Sequence, residues 1–169
     1  HTLGASAVVS DTIDHLGTHS AGLLTLVSPV SIVVTDVSAV TAARAAALDP
    51  LLALLVPATQ VSVSDTATAT AAVAATLHDL GNVLQLVTLT GGTTMTAATA
   101  VALTDVQTHL ANGVTFNVSD TAANIVGHQS GLAALATASR IQTIVAANET
   151  AAHIVTHGAA LDVLDATAT

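Results

Sequence analysis

The chain has no cysteine, lysine, tyrosine or tryptophan. Without cysteine there can be no disulfide, thiolate metal site or c-type haem attachment. Basic residues are nearly missing too: Arg44 and Arg140 stand against 11 carboxylates, giving a formal charge of −9. Two guanidinium groups cannot neutralise a phosphate backbone, so nucleic acid is excluded as a partner. A basic patch for anionic lipid is lacking as well. The most apolar run, "LDPLLALLV" at 48–56, contains Asp49 and Pro50 and falls far short of the roughly 20 residues of a membrane span, so no membrane insertion is expected. No nucleophile elbow, zinc-protease helix or phosphate loop occurs, and an enzyme is not expected. No initiator Met or signal peptide precedes His1, which fits a processed chain or a fragment.

What is present is aliphatic. About half of the 169 residues are apolar, chiefly Ala, Val and Leu diluted with Thr, which argues against disorder. The length suffices for one domain with a real core. Self-similarity runs through it. "AVVSDT", "VSIVVTDV", "VSVSDT", "VTFNVSDT" and "IQTIVAANET" alternate and end in a polar residue followed by a small one, with "LVTLTGG" a looser sixth. Taking Asp11, Asp36, Asp65, Thr90, Asp120 and Asn148 as equivalent gives a period of about 27 residues, in the range of stacked supersecondary units.

Each unit has two halves. In the first, Val61 and Val63 oppose Ser62 and Ser64, and Val114, Phe116 and Val118 oppose Thr115, Asn117 and Ser119. That is a strand with one apolar and one hydroxyl-rich face. The second half is helical in period: Ile125, Leu132 and Leu135 form one stripe, matched by Leu16, Leu23 and Leu26 and by Ile154, Leu161 and Leu164. Asp11, Asp65, Asp120 and Asn148 stand where helix N-caps belong. Calcium ligation by these aspartates is the weaker alternative, because the glycine-rich nonapeptide pattern is missing. Pro50 should break the helix of unit two and Pro57 end it, and "GGTTMTAATAV" places a loop before the helix of unit four. Alternating strand and helix imply parallel strands with right-handed crossovers. A hydroxyl-rich strand face leaves helices on the other face only. The expected fold is therefore α/β: a one-sided repeat solenoid with a parallel sheet, a single domain over 1–169 of about six units. Strands spaced about 4.8 Å apart under helices that need 8–10 Å should make the stack curve, with alanine reducing the mismatch.

"VSDTAANI" and "VTLTGGTTMTAATAVAL" resemble Ala/Thr/Val/Asp-rich repeats of very large exported, type I-secreted, adhesin-like surface proteins of proteobacteria. The C-terminal half matches better than the first. The resemblance implies an extracellular structural or adhesive role and supplies no catalytic residues. An acidic chain free of lysine and cysteine fits that setting, whereas the eight histidines depart from it.

Those histidines are the one chemical feature. His19, His128 and His157 share one repeat position, and His15/His19 and His153/His157 are i,i+4 pairs on a helix face. By helical angle the shared position lies within the apolar stripe, and the ordinary role there is a partly buried imidazole bonded to a backbone carbonyl. Neither terminal unit reads as a cap, so head-to-tail stacking would bring His15, His19, His153 and His157 together at a subunit junction and propagate a filament. Those four are the candidate ligands for a divalent metal, Zn²⁺, Ni²⁺ or Cu²⁺, or a switch near pH 5–6. No other cofactor is implied. The function expected is a structural subunit of an extracellular filament, surface layer or adhesin stalk. The alternative is a binding module for metal ions, glycan or ice. The Ser/Thr rows that would bind glycan or ice are interrupted by Val33, Asn117 and Gln142. The sequons Asn117-Val-Ser119 and Asn148-Glu-Thr150 follow from the repeat itself.

Overall fold

Valines at every second position bury one strand face and leave Ser, Thr or Asn on the other. In the computed structural model, which describes residues 7–26, 30–147, 150, 152, 156 and 158, these segments form β1 (Ala7–Asp11), β2 (Val30–Val34), β3 (Val61–Thr66), β4 (Leu84–Thr90), β5 (Thr94–Met95), β6 (Phe116–Asp120) and β7 (Ile141–Ala146). All pairing is parallel. It falls into three small sheets, β1-β2, β3-β4 and β5-β6-β7, and not into the one expected sheet. Single bridges extend the ladders: Ile32 to Leu55, Val40 to Val63 and Val87 to Leu110.

Three ladders of core residues result. One is Val9, Ile32 and Leu55; the next is Val40, Val63, Val87 and Leu110; the last is Met95, Val118 and Ile144. Each rung lies 23 residues beyond the previous one, except for Val63 to Val87 (24) and Val118 to Ile144 (26).

Between strands run α1 (Ile13–Leu24), α2 (Ala42–Ala46), α3 (Ala67–Ala72), α4 (Ala74–Asp79), α5 (Ala97–Ala102), α6 (Ala122–Gly127) and α7 (Gln129–Thr137), with short 3-10 turns at Asp49–Leu54, Gly81–Val83 and Leu103–Val106. Pro50 sits in the first turn of the 3-10 segment, where its missing N–H costs nothing, and α2 ends before it, as the sequence predicts. Unit four has its predicted loop, turned at Gly91 with φ +85°. Unit two has one too: its helix starts after Thr41, not directly after Asp36.

A second difference concerns the helical stripe of unit five. Ile125, Leu132 and Leu135 are fully buried, but not on one continuous helix. The chain breaks at His128 (φ −113°, ψ 14°), separating α6 from α7. Val73, likewise seven residues after the capping Thr, breaks α3 from α4 in the same way. In unit one Leu16 is buried but Leu26 lies beyond the helix and is 52% exposed. The matching stripe of unit six, Ile154, Leu161 and Leu164, lies outside the described residues.

Buried strand residues (Ile32, Val63, Val87, Phe116, Val118) and helix residues (Leu16, Leu77, Leu103, Leu132) join in one core. Ser62, Ser64, Asn117 and Ser119 on the opposite strand face are only half-buried. Gly131 lets α7 approach α5: a Cβ there would sit 2.6 Å from Val101 Cγ1.

Candidate functional site: the carboxylate ladder at the helix starts

The Asp-Thr pairs divide the capping differently from the sequence expectation. The N-cap residue is the threonine. Thr41, Thr66, Thr96 and Thr121 accept, through their hydroxyls, the backbone N–H three residues on. Asp65 and Asp120, next to Thr66 and Thr121, then each use two oxygens for two different units. Asp65 Oδ1 accepts from Thr66 N (2.8 Å) while Oδ2 accepts from Ala42 N (3.0 Å), the first helical residue of the preceding unit. Asp120 repeats this on Thr121 N (2.8 Å) and Ala97 N (3.0 Å). Asp36 Oδ2 takes Ile13 N at 2.7 Å. In all three cases the separation is 23 residues. The first N–H of a helix has no partner within that helix, and here a carboxylate of the next unit supplies one, its charge facing the positive helix end.

The ladder changes at two places. Thr90 is the register partner of Thr66, so the position that would face Ala67 is Gly91, which has no carboxylate to offer. Around this gap lies an open depression of about 390 Å³ whose lining includes Thr66, Thr68, Thr90, Thr94, Thr96 and Thr99. In unit one, Thr12 makes no side-chain cap, and Asp11 Oδ1 instead accepts both Thr12 N (2.8 Å) and His15 Nδ1–H (2.9 Å).

Two carboxylates are held below their ordinary range. For Asp11 the main cause is the Thr12 N–H bond, followed by His15. For Asp120 burial pushes upward, but hydrogen bonds from Asn124, Thr121 and Ala97 together outweigh it.

Of the candidate metal ligands, His15 and His19 are both exposed on α1, so His19 does not lie in the buried stripe. The helix of unit one turns its Leu side, not the His19 side, to the core. His153 and His157 lie outside the described residues. Among the described residues no cluster of three or more His, Asp or Glu side chains is poised to hold a metal ion, and no helix is long and apolar enough to cross a membrane. His128 is half-buried and donates Nδ1–H to the Asn124 carbonyl at 2.8 Å, the ordinary role foreseen for it. Asn117, the sequon residue, donates to Thr93 Oγ1 and accepts from Thr143 Oγ1 (2.7 Å), forming part of a bonded polar row across three units.

The two arginines, which the sequence shows only as a deficit of positive charge, both join units. Arg44 donates Nε–H to Asp14 and Nη2–H to Asp36 (2.9 Å), tying α2 to unit one. Arg140 places its guanidinium among four carbonyls, those of Gln107, Leu110, Ala111 and Val114. Their rarity was the available signal, since a chain with two cations places them where several acceptors converge. No protein-family profile, curated protein or solved structure matches the chain.

Proposed function

We propose that this chain is a structural subunit of an extracellular filament, surface layer or adhesin stalk. In this reading it is a solenoid of about six strand-helix units whose work is mechanical and not catalytic. One observation carries it: bonds from an aspartate to the helix start 23 residues back recur in three units, in step with parallel strand pairing. Such nearest-neighbour coupling makes a row of units behave as one rigid body, and it has no intrinsic end. The composition and the resemblance to exported adhesin-like repeats support the extracellular setting. Negative-stain microscopy and size-exclusion chromatography at pH 5 to 8 test the proposal. Polymers at neutral pH are expected, and a monomer at every concentration would refute it.

A second reading, a binding module, is favoured by the six-threonine depression at the missing rung of the ladder. A threonine-rich lining suits a saccharide better than a metal ion. Saturation-transfer NMR with simple hexoses tests it, with signal lost in Thr94→Val as the expected result.

A further inference from the structure

The turn before β6 joins a labile residue pair to a clamp. Residues 111–114 form a four-residue turn closed by the Val114 N–H on the Ala111 carbonyl at 3.3 Å. Gly113 stands third in it with φ +76°, a conformation that suits glycine. Asn112 is exposed, and neither its side-chain amide nor the Gly113 N–H has a hydrogen-bond partner among the described residues. A Cβ built on Gly113 would meet nothing within 4 Å, so no neighbour crowds that nitrogen. Asparagine is a heat-labile residue. The others in this chain precede Val83, Val118, Ile125 and Glu149, whose side chains screen the nitrogen that follows the asparagine.

The base of the same turn is held from outside. Arg140 Nη1–H donates to the carbonyls of Ala111 (3.0 Å) and Val114 (3.2 Å), and Nη2–H to those of Gln107 and Leu110. The Arg140 carbonyl accepts the Phe116 N–H at 2.7 Å, where β6 begins. We propose that Asn112-Gly113 is a site of spontaneous covalent modification, converted by water to aspartate and isoaspartate, with Arg140 restraining the rate as a positioning residue. The Gly113 nitrogen gives up its proton and bonds to Asn112 Cγ; the Cγ–Nδ2 bond breaks and Nδ2 leaves as ammonia. Water then opens the cyclic imide. Attack at Cγ restores the main chain as aspartate, and attack at the Asn112 main-chain carbonyl routes it through Cγ as isoaspartate. The net reaction consumes one water and releases one ammonia, with no change of oxidation state. Ring closure requires the Asn112-Gly113 peptide to swing toward the side chain, a movement that the two Nη1 bonds resist. Isoaspartate adds a methylene to the main chain between the carbonyls that Nη1 bridges, so conversion loosens the clamp irreversibly.

The test ages the full folded chain in mildly alkaline buffer, maps asparagine conversion by peptide mass spectrometry and measures ammonia in parallel. Asn112 should convert while Asn82 and Asn117 stay intact, with ammonia approaching one equivalent, and Asn112→Ala should release none over the same period. Wild-type chain unfolded in urea should convert Asn112 faster than the folded chain does. Arg140→Lys keeps the charge but loses the fork, and conversion at Asn112 should quicken about tenfold, the effect of one lost bond to a charged donor. Far-UV circular dichroism checks that this variant is folded. Asn112 intact in the folded chain while the unfolded chain converts, or conversion spread evenly over the asparagines, would overturn the site. Equal rates in folded and unfolded wild type, or an unchanged rate in folded Arg140→Lys, would overturn the role given to Arg140.

Discussion

Removing one rung of the ladder should uncouple two units at once. In Asp65→Ala both oxygens are lost, and with them the bonds to Thr66 N (2.8 Å) and Ala42 N (3.0 Å). An N-terminal cap contributes about 1 kcal/mol, and a hydrogen bond to a charged group somewhat more. Asp65 is half-buried, so water replaces part of what is lost. The expected cost is about 2 kcal/mol, which lowers the melting temperature by roughly 4–8 °C in a chain of this size and the urea midpoint by about 1 M. Asp65→Asn should lose about half as much, because its single carbonyl can serve one N–H while its amide opposes the other. Asp79 provides the control. It is exposed at the last residue of α4, where a negative charge faces the negative helix end, so Asp79→Ala should be neutral or stabilise by a few tenths of a kcal/mol. Far-UV circular dichroism is the suitable probe, since the chain has no tryptophan or tyrosine. An Asp65→Ala chain within about 0.5 kcal/mol of wild type, below the cost of a lost cap, would refute the idea that the inter-unit bond carries stability.

Gly131→Ala forces a Cβ to within 2.6 Å of Val101 and should cost about 1–3 kcal/mol by overpacking, whereas Gly127→Ala, which meets open space, should be neutral or gain about 0.5–1 kcal/mol; urea melts of the pair decide it. Thr70 is fully buried and its hydroxyl has no partner among the described residues, so Thr70→Val should stabilise by about 1 kcal/mol, and a destabilised variant would show that the hydroxyl is in fact bonded. Asp120 is held below its ordinary 3.8 in the fold, so its contribution is fully present above that value and is lost as pH falls through the lower, folded value. An acid titration followed by circular dichroism should thus show unfolding that is blunted in Asp120→Asn, since that variant has no proton to gain there.

Strands and their faces were legible because period-2 alternation has one physical reading: Val61, Val63, Phe116 and Val118 are buried as expected. The buried leucines of unit five were equally legible. The break at His128 was not, because "AANIVGHQSGL" holds no proline and its side-chain stripe passes through the break unchanged. The capping roles were ambiguous for another reason. Asp and Thr are adjacent and both are good caps, and only the parallel pairing of the strands brings the aspartate within reach of a second helix. That also explains the period. Counting along the sequence gives about 27 residues because it averages intervals of 25 with the longer ones that hold loops 35–39 and 91–93, whereas the bond from a helix start to its aspartate spans 23. Half of the histidine site lies outside the described residues, and the exposed half was legible only as an i,i+4 pair.

The loop lengths carry a packing argument of their own. Capping threonines Thr12, Thr41, Thr66, Thr96 and Thr121 are separated by 29, 25, 30 and 25 residues. The longer intervals are those in which the chain steps from one ladder of core residues to the next, eight residues on, from Ile32 to Val40 and from Val87 to Met95. Strands sit about 4.8 Å apart, yet helices with ordinary side chains need 8–10 Å. The sideways step does not part the helices: α3 packs against α5 across one, as α2 packs against α3 and α5 against α6 where no step intervenes. On both kinds of seam the buried residues of the first helical turns are mostly small: Ala42, Ala45, Ala67, Thr70, Ala97, Ala100 and Ala122, with Ile125 the larger exception. The larger side chains Leu77, Leu103, Leu132 and Leu135 come later, beyond a helix break or on a 3-10 turn. Alanine in this chain is thus placed where the strand spacing is imposed on helices, and leucine where the chain has room to depart from it.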